Sequence, residues 1–197
     1  MPIGLDAAAA LVGDRVIPDG GLVAVDGAVP ADTALLAGRI AEYVTELGRP
    51  VLTVATHDFL HPRGVRLETG ADDPDAGYHR WVDHGTLHRA VLEPMTRPTR
   101  PAQVLPSLRE PGTGRPTRAA PVAVPAGGVV LVHGWLVLRT ELAGAFDVRV
   151  HLRADWPAVR RRTGEAGGGE HDLARPAGAW KLYQEWDFPE EVAHIVL

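Results

Sequence analysis

Cysteine is absent from this 197-residue chain, and lysine is nearly so: Lys181 stands alone among 20 Lys+Arg. Without cysteine there is no disulfide framework, no thiolate metal site and no thiol nucleophile. No apolar run approaches the roughly 18 residues of a membrane span. An excess of positive charge is missing as well, with 25 Asp+Glu giving a net charge of -5. No global field therefore draws the chain onto nucleic acid or an anionic membrane, and the expected partner is a small molecule. The amino-terminal "MPIGLDAAAALVGDRV", with Asp6 and Asp14, lacks the basic-then-apolar order of a secretory leader. It reads as an amphipathic helix, and a cytoplasmic location is expected. The length suits one domain over 1–197.

What is present is a series of short apolar runs: "LVAVDG" (Leu22 to Gly27), "PVLTVATHDF" (Pro50 to Phe59), "GVVLVHGWLVL" (Gly128 to Leu138), "FDVRVHLRA" (Phe146 to Ala154) and the final "HIVL". Runs of this kind read as buried parallel strands. Helical spacing fills the gaps at Thr33 to Leu47, Gly85 to Met95, Trp156 to Arg162 and Pro189 to Ala193. The alternation predicts an α/β fold, a mostly parallel five-stranded sheet between two helical layers. Residues 96–128, with seven prolines, read as an extended surface excursion or irregular strands, and 163–178 as a flexible, lid-like loop.

Ligands of open parallel sheets bind beyond the carboxyl ends of the strands. Asp26 and Gly27, His57 and Asp58, and His133 and Gly134 leave the first three runs there. His57, His133 and Asp58 admit three uses: polar strand ends, general acid/base or ligand contacts, or a Zn or Fe site. His84 and His88, four apart on a helix, have metal-compatible spacing but no third ligand nearby, so a solvated face is expected. Arg160, Arg161 and Arg162 suit either an anion or solvent. Trp81 and Trp135, two of five tryptophans, suit stacking on a flat ligand or core packing.

The turn after the first run has the frame of GxxxxGK[ST], in which amides cradle phosphate, Lys neutralises it and a hydroxyl holds the metal. With Gly27 as the first glycine, Asp32, Thr33 and Ala34 stand where Gly, Lys and Ser/Thr belong. Each change removes a phosphate-binding feature, so ATP and magnesium are not expected as cofactors. The bland reading is a strand-to-helix turn with Asp32 as N-cap.

Five fragments in order, "VAVDG", "GRPVLTVATHDFLHPRGVRLETG", "GYHRWVDHGTLHRAVLEPM", "GGVVLVHGWLVLRTELAGAFDVRVHLRADWPAVRRRT" and "RPAGAWKLYQEWDFPEEVAHIVL", resemble the uridine kinase-like branch of the P-loop nucleoside kinases. The resemblance implies a P-loop kinase fold with a small lid. It sets His57 where the family keeps the Asp that takes the proton of the sugar hydroxyl, and His133 where it keeps an acidic magnesium ligand. Asp83 matches an Asp that contacts the nucleoside sugar, and Tyr78 and Trp81 fall in the family's aromatic acceptor segment. Arg63 falls in its Arg-rich turn, and Arg160 or Arg162 matches arginines of the lid. The implied protein is a kinase scaffold with a degenerate phosphate loop. It is read as a repurposed enzyme of secondary metabolism doing non-phosphoryl chemistry with His57 and His133. The alternatives are a nucleoside- or nucleotide-binding pseudokinase and an atypical active kinase; a homodimer is compatible with any of the three.

Overall fold

Valine-rich runs build the sheet, and two of them end at glycine. The computed structural model describes residues 4–16, 20–70, 73–97, 99–110, 113–165 and 174–197. Strands β1 (Gly21–Gly27), β2 (Val51–Ala55), β5 (Val129–Gly134), β6 (Val148–Leu152) and β7 (Ile195–Val196) form one parallel sheet in the order β2-β5-β1-β6-β7. β1 lies at the centre, with Val25 opposite His133 on one side and Val150 on the other. β3 (Ala102–Val104) and β4 (Val122–Val124) form a separate antiparallel pair.

The helices are α1 (Leu5–Gly13), α2 (Pro30–Glu46), α3 (Arg63–Arg66), α4 (Pro74–His79), α5 (His84–Leu87), α6 (Glu93–Thr96), α7 (Thr140–Ala143), α8 (Trp156–Glu165), α9 (Ala174–Asp187) and α10 (Pro189–Val192). A π-helical turn, His88–Leu92, joins α5 to α6. Along β1 the period of two divides the core between the sheet's faces. Val23 and Val25 pack with Leu36, Ile40 and Val44 of α2 and with Val12 of α1, whereas Leu22 and Ala24 pack with Phe59, Tyr78, Leu92 and Tyr183. The result is the three-layer α/β/α arrangement expected from the sequence.

Some expectations need correction. The second and third runs leave the sheet early: Thr56–Phe59 is a 3-10 turn, and β5 stops at Gly134. α2 begins at Pro30, whose fixed φ suits the first helical turn, so Val29 is the N-cap and Asp32 lies inside the helix. The proline-rich segment is not wholly a surface excursion, because Ala102, Val104 and Val124 are buried in the core. The segment read as a lid-like loop is helical where it is described: α8 runs to Glu165 and α9 starts at Ala174. Residues 166–173 of that segment lie outside the described residues.

Candidate functional site

Between β1 and α2 the chain has only Ala28 and Val29. Inside α2's first turn the amides of Asp32 and Thr33 both donate to the Val29 carbonyl, at 3.1 and 3.2 Å. Thr33 is fully buried, and its hydroxyl donates back to the Pro30 carbonyl at 2.9 Å. A β-carbon on Gly27 would lie 3.0 Å from Cγ2 of Thr33 and 3.1 Å from Cβ of Leu152, so glycine is what lets these two side chains close over the turn. Asp32 pairs with Arg162 of α8 at 2.5 Å. Ala34 is exposed on α2.

At the ends of β2 and β5 the two histidines meet. Gly134 sits at φ 128°, where a β-carbon would fall 2.3 Å from Oγ1 of Thr56. That oxygen accepts from the Trp135 amide at 3.0 Å, drawing the two strand ends together. The rings of His57 and His133 come to 6.4 Å between centroids, edge to face. Nε2 of His57 is 4.0 Å from Oδ1 of Asp58. The Asp58 carbonyl accepts from the Leu108 and Arg109 amides at 3.0 and 2.8 Å, so the proline-rich segment holds this turn in place.

Burial raises the Asp58 carboxyl above the usual aspartate range, against the opposing pull of His57. Burial, aided by the charge of His57, lowers His133 to about 4, so its imidazole is neutral at pH 7. Nδ1 of His133 is buried and has no hydrogen-bond partner among the described residues. Among those residues no group of three His, Cys, Asp or Glu is placed to hold a metal ion, and the Zn or Fe reading of His57, His133 and Asp58 finds no geometric support.

Asp26 is committed to the interior. Its carboxylate accepts from the Val137 amide at 2.9 Å, contacts Nδ1 of His151 at 2.7 Å, and accepts from the Tyr183 hydroxyl. Tyr183 in turn accepts from the Leu138 amide at 3.1 Å, and His151 stacks on Trp180 at 5.9 Å. Burial and the neighbouring Asp26 carboxylate push the Tyr183 phenol well above its ordinary range. This network fixes residues 135–138, which follow His133. Neither His151 nor Tyr183 was singled out from sequence.

The residues implied by family resemblance are scattered among structural tasks. Tyr78 is buried, and its hydroxyl donates to Asp187 at 2.6 Å. Asp187 also accepts from the amide and hydroxyl of Thr140, at 2.7 and 2.8 Å. Arg139 lies 3.9 Å from the centre of the Tyr78 ring. These bonds tie α4 to α9, which leaves Tyr78 no free hydroxyl for a ligand. Asp83 caps α5, with its two carboxylate oxygens accepting from the amide and hydroxyl of Thr86 at 2.9 and 2.8 Å. Trp81 carries the Arg66 guanidinium over its ring at 4.5 Å, and Trp135 is half-buried against the core.

Arg63 and Arg160 are exposed on α3 and α8, whereas Arg162 is held by Asp32. His84 departs from the solvated face expected of it. It is buried 3.5 Å from Arg139, and burial together with that charge lowers it to about 3. The π turn begins at His88, and among the described residues no metal-binding group includes the two.

Against known proteins, no family model matches the chain and no curated protein sequence matches it. Solved structures do. A possible uridine kinase from Bacillus stearothermophilus superposes with a TM-score of 0.78 at 16% identity, covering 99% of this chain and 100% of the other. A candidate fructose transport system kinase from Silicibacter superposes at 0.66 with 18% identity, covering 100% of each chain. D-glycerate 3-kinase from Cryptococcus neoformans gives 0.52 at 17% identity over 89% of this chain and 83% of that one. Identities this low carry the fold, which is that of the P-loop kinases, and nothing finer.

Proposed function

We propose that this chain is a P-loop kinase scaffold that no longer seats a nucleoside triphosphate, and that it acts on a small organic molecule at the ends of β2 and β5. The observation that carries the first half is the two-residue β1–α2 turn. A phosphate cradle needs several free amides and room above them; here the amides of Asp32 and Thr33 bond to Val29, and Thr33 fills the room. Asp32 adds a negative charge, and the one cation paired with it, Arg162, is neutralised by it. Phosphoryl transfer rests on positioning and charge neutralisation, and of the three arginines lining the cleft beside Val29 and Asp32, Arg153 and Arg162 are already paired with carboxylates.

The second half rests on His57, His133 and Asp58. A buried imidazole that is neutral at pH 7, beside a half-exposed one and a carboxyl raised above the usual aspartate range, brings three proton-accepting groups together. The three similar structures bear the names of kinases for a nucleoside, a sugar and a hydroxy acid. A hydroxyl-bearing molecule of that kind, with nucleosides first, is the ligand we assign to these two histidines.

The lowering of His133 to about 4, which leaves its imidazole a weak base at pH 7, favours a second reading, a protein that binds such a ligand without turning it over. Titration of the full chain with uridine, fructose and glycerate, followed at the imidazole NMR signals of His57 and His133, tests the assignment. Saturable shifts at both rings are expected. Unmoved imidazole signals with every compound would remove the ends of β2 and β5 as the working site. Turnover lost in His57→Ala and His133→Ala separates the enzyme from the binder.

A further inference from the structure

α8 is anchored at its amino-terminal end. Asp155 caps it there, accepting from the Ala158 amide at 2.8 Å, and Trp156 packs against the core that holds Phe59, Leu92 and Tyr183. Beyond that end, Val159 is the one buried side chain among those described for α8. It meets Val29 in a small apolar cluster with Ala28, Ala154 and Trp156 around it. A helix is held to its protein chiefly by the apolar face it buries, and α8 buries little.

The remaining tie is charged. Arg162, six residues and about 9 Å along the helix from Trp156, bonds Asp32 in the first turn of α2 at 2.5 Å, across 130 residues of sequence. Both side chains keep access to water, Asp32 with 29% and Arg162 with 51% exposed. Both also line a cleft of about 560 Å³ between α8 and the Val29–Asp32 segment. Arg153 lines the same cleft but is taken by Glu190, so Arg162 is the arginine that Asp32 holds.

We propose that α8 is a hinged arm, pivoting at Asp155 and Trp156 and latched over this cleft by the Asp32–Arg162 pair. Its closure needs no ligand, because the anion on which the arginine closes is a side chain of the protein itself. A half-exposed ion pair shifts an opening equilibrium by about two- to fivefold. Salt screens it, since the Debye length falls from about 10 Å at 0.1 M to about 3 Å at 1 M. The arm therefore opens as ionic strength rises. The latch uses the same ion pair as the proposed loss of the triphosphate site, but it is read without any nucleotide, so either can fail alone.

Hydrogen–deuterium exchange of the full chain at low and high NaCl, followed by mass spectrometry, tests the latch. In the wild-type chain, exchange in peptides covering 156–162 should rise about two- to fivefold between about 0.05 and 1 M salt, while β1 stays protected. Arg162→Gln and Asp32→Asn should each show the faster exchange already at low salt, with no further rise. Asp32→Arg combined with Arg162→Asp rebuilds the pair in reverse and should bring back at least half of the protection. Val159→Ala should speed exchange at both salt concentrations and keep the salt response, which separates apolar docking from the latch. Unchanged protection of α8 in Arg162→Gln, an equal salt response in that variant and the wild type, a reversed pair no better protected than the single variants, or protection lost equally in β1 would each overturn the proposal.

Discussion

Cγ2 of Thr33 lies 3.0 Å from the point where Gly27 would carry a β-carbon, so the methyl of one residue occupies the space that the other leaves open. The turn is thereby packed as hydrophobic core, with Leu152 closing it from β6. The amides of Asp32 and Thr33 are also spent on the Val29 carbonyl, so exchanging side chains at 32–34 alone does not rebuild a phosphate loop. The triple variant Asp32→Gly, Thr33→Lys, Ala34→Thr should still show no thermal shift with Mg·ATP, because α2 continues to start at Pro30. A shift of several degrees in that variant would mean that side-chain chemistry, not the helix start at Pro30, closed the site.

Gly134 holds φ 128° directly against Thr56. Gly134→Ala meets both backbone strain and a clash with Oγ1, and should lower unfolding free energy by roughly 2–4 kcal/mol in urea titration. Adding Thr56→Ala removes the clash but not the strain, so the double variant should recover part of the loss.

Asp26 serves three partners in the interior. Asp26→Ala leaves the Val137 amide, His151 and Tyr183 without their acceptor and should cost about 3–5 kcal/mol. Tyr183→Phe removes one bond to the carboxylate and should cost about 1–2 kcal/mol. Equal losses in the two variants would show that the network works through Tyr183 alone.

His133 and His84 are depressed to about 4 and about 3 by burial. In the folded chain both remain neutral where the unfolded chain has begun to take up protons, so the unfolded state binds more protons over that range. Stability should accordingly fall as pH drops below ~6.5, and the fall continues until the folded values are reached. His133 alone accounts for roughly 3 kcal/mol of this loss. Chemical denaturation at pH 7, 6, 5 and 4 should show a steady decline, shallower in His133→Asn. A stability that rises on acidification would contradict the burial of these imidazoles.

The five strands were readable because they are short apolar runs rich in β-branched residues, two of which, β1 and β5, end at glycine. Their ends were not, because Thr56 and Gly134 leave the sheet through a contact between residues far apart in sequence. α9 was missed where "ARPAGAW" puts proline and glycine in its first turns, although Trp180, Tyr183 and Asp187 carry a helical spacing that was there to find. The meeting of His57 and His133 followed from strand topology. The partners of Asp26 and Tyr78 did not, since His151 and Asp187 lie 125 and 109 residues away and no local pattern announces them.

The central claim is that the β1–α2 turn admits no triphosphate. Isothermal titration calorimetry of the wild-type chain with Mg·ATP reads this directly. No saturable heat is expected up to millimolar nucleotide; a micromolar Kd, lost when Arg162→Gln removes the cation paired with Asp32, would contradict this.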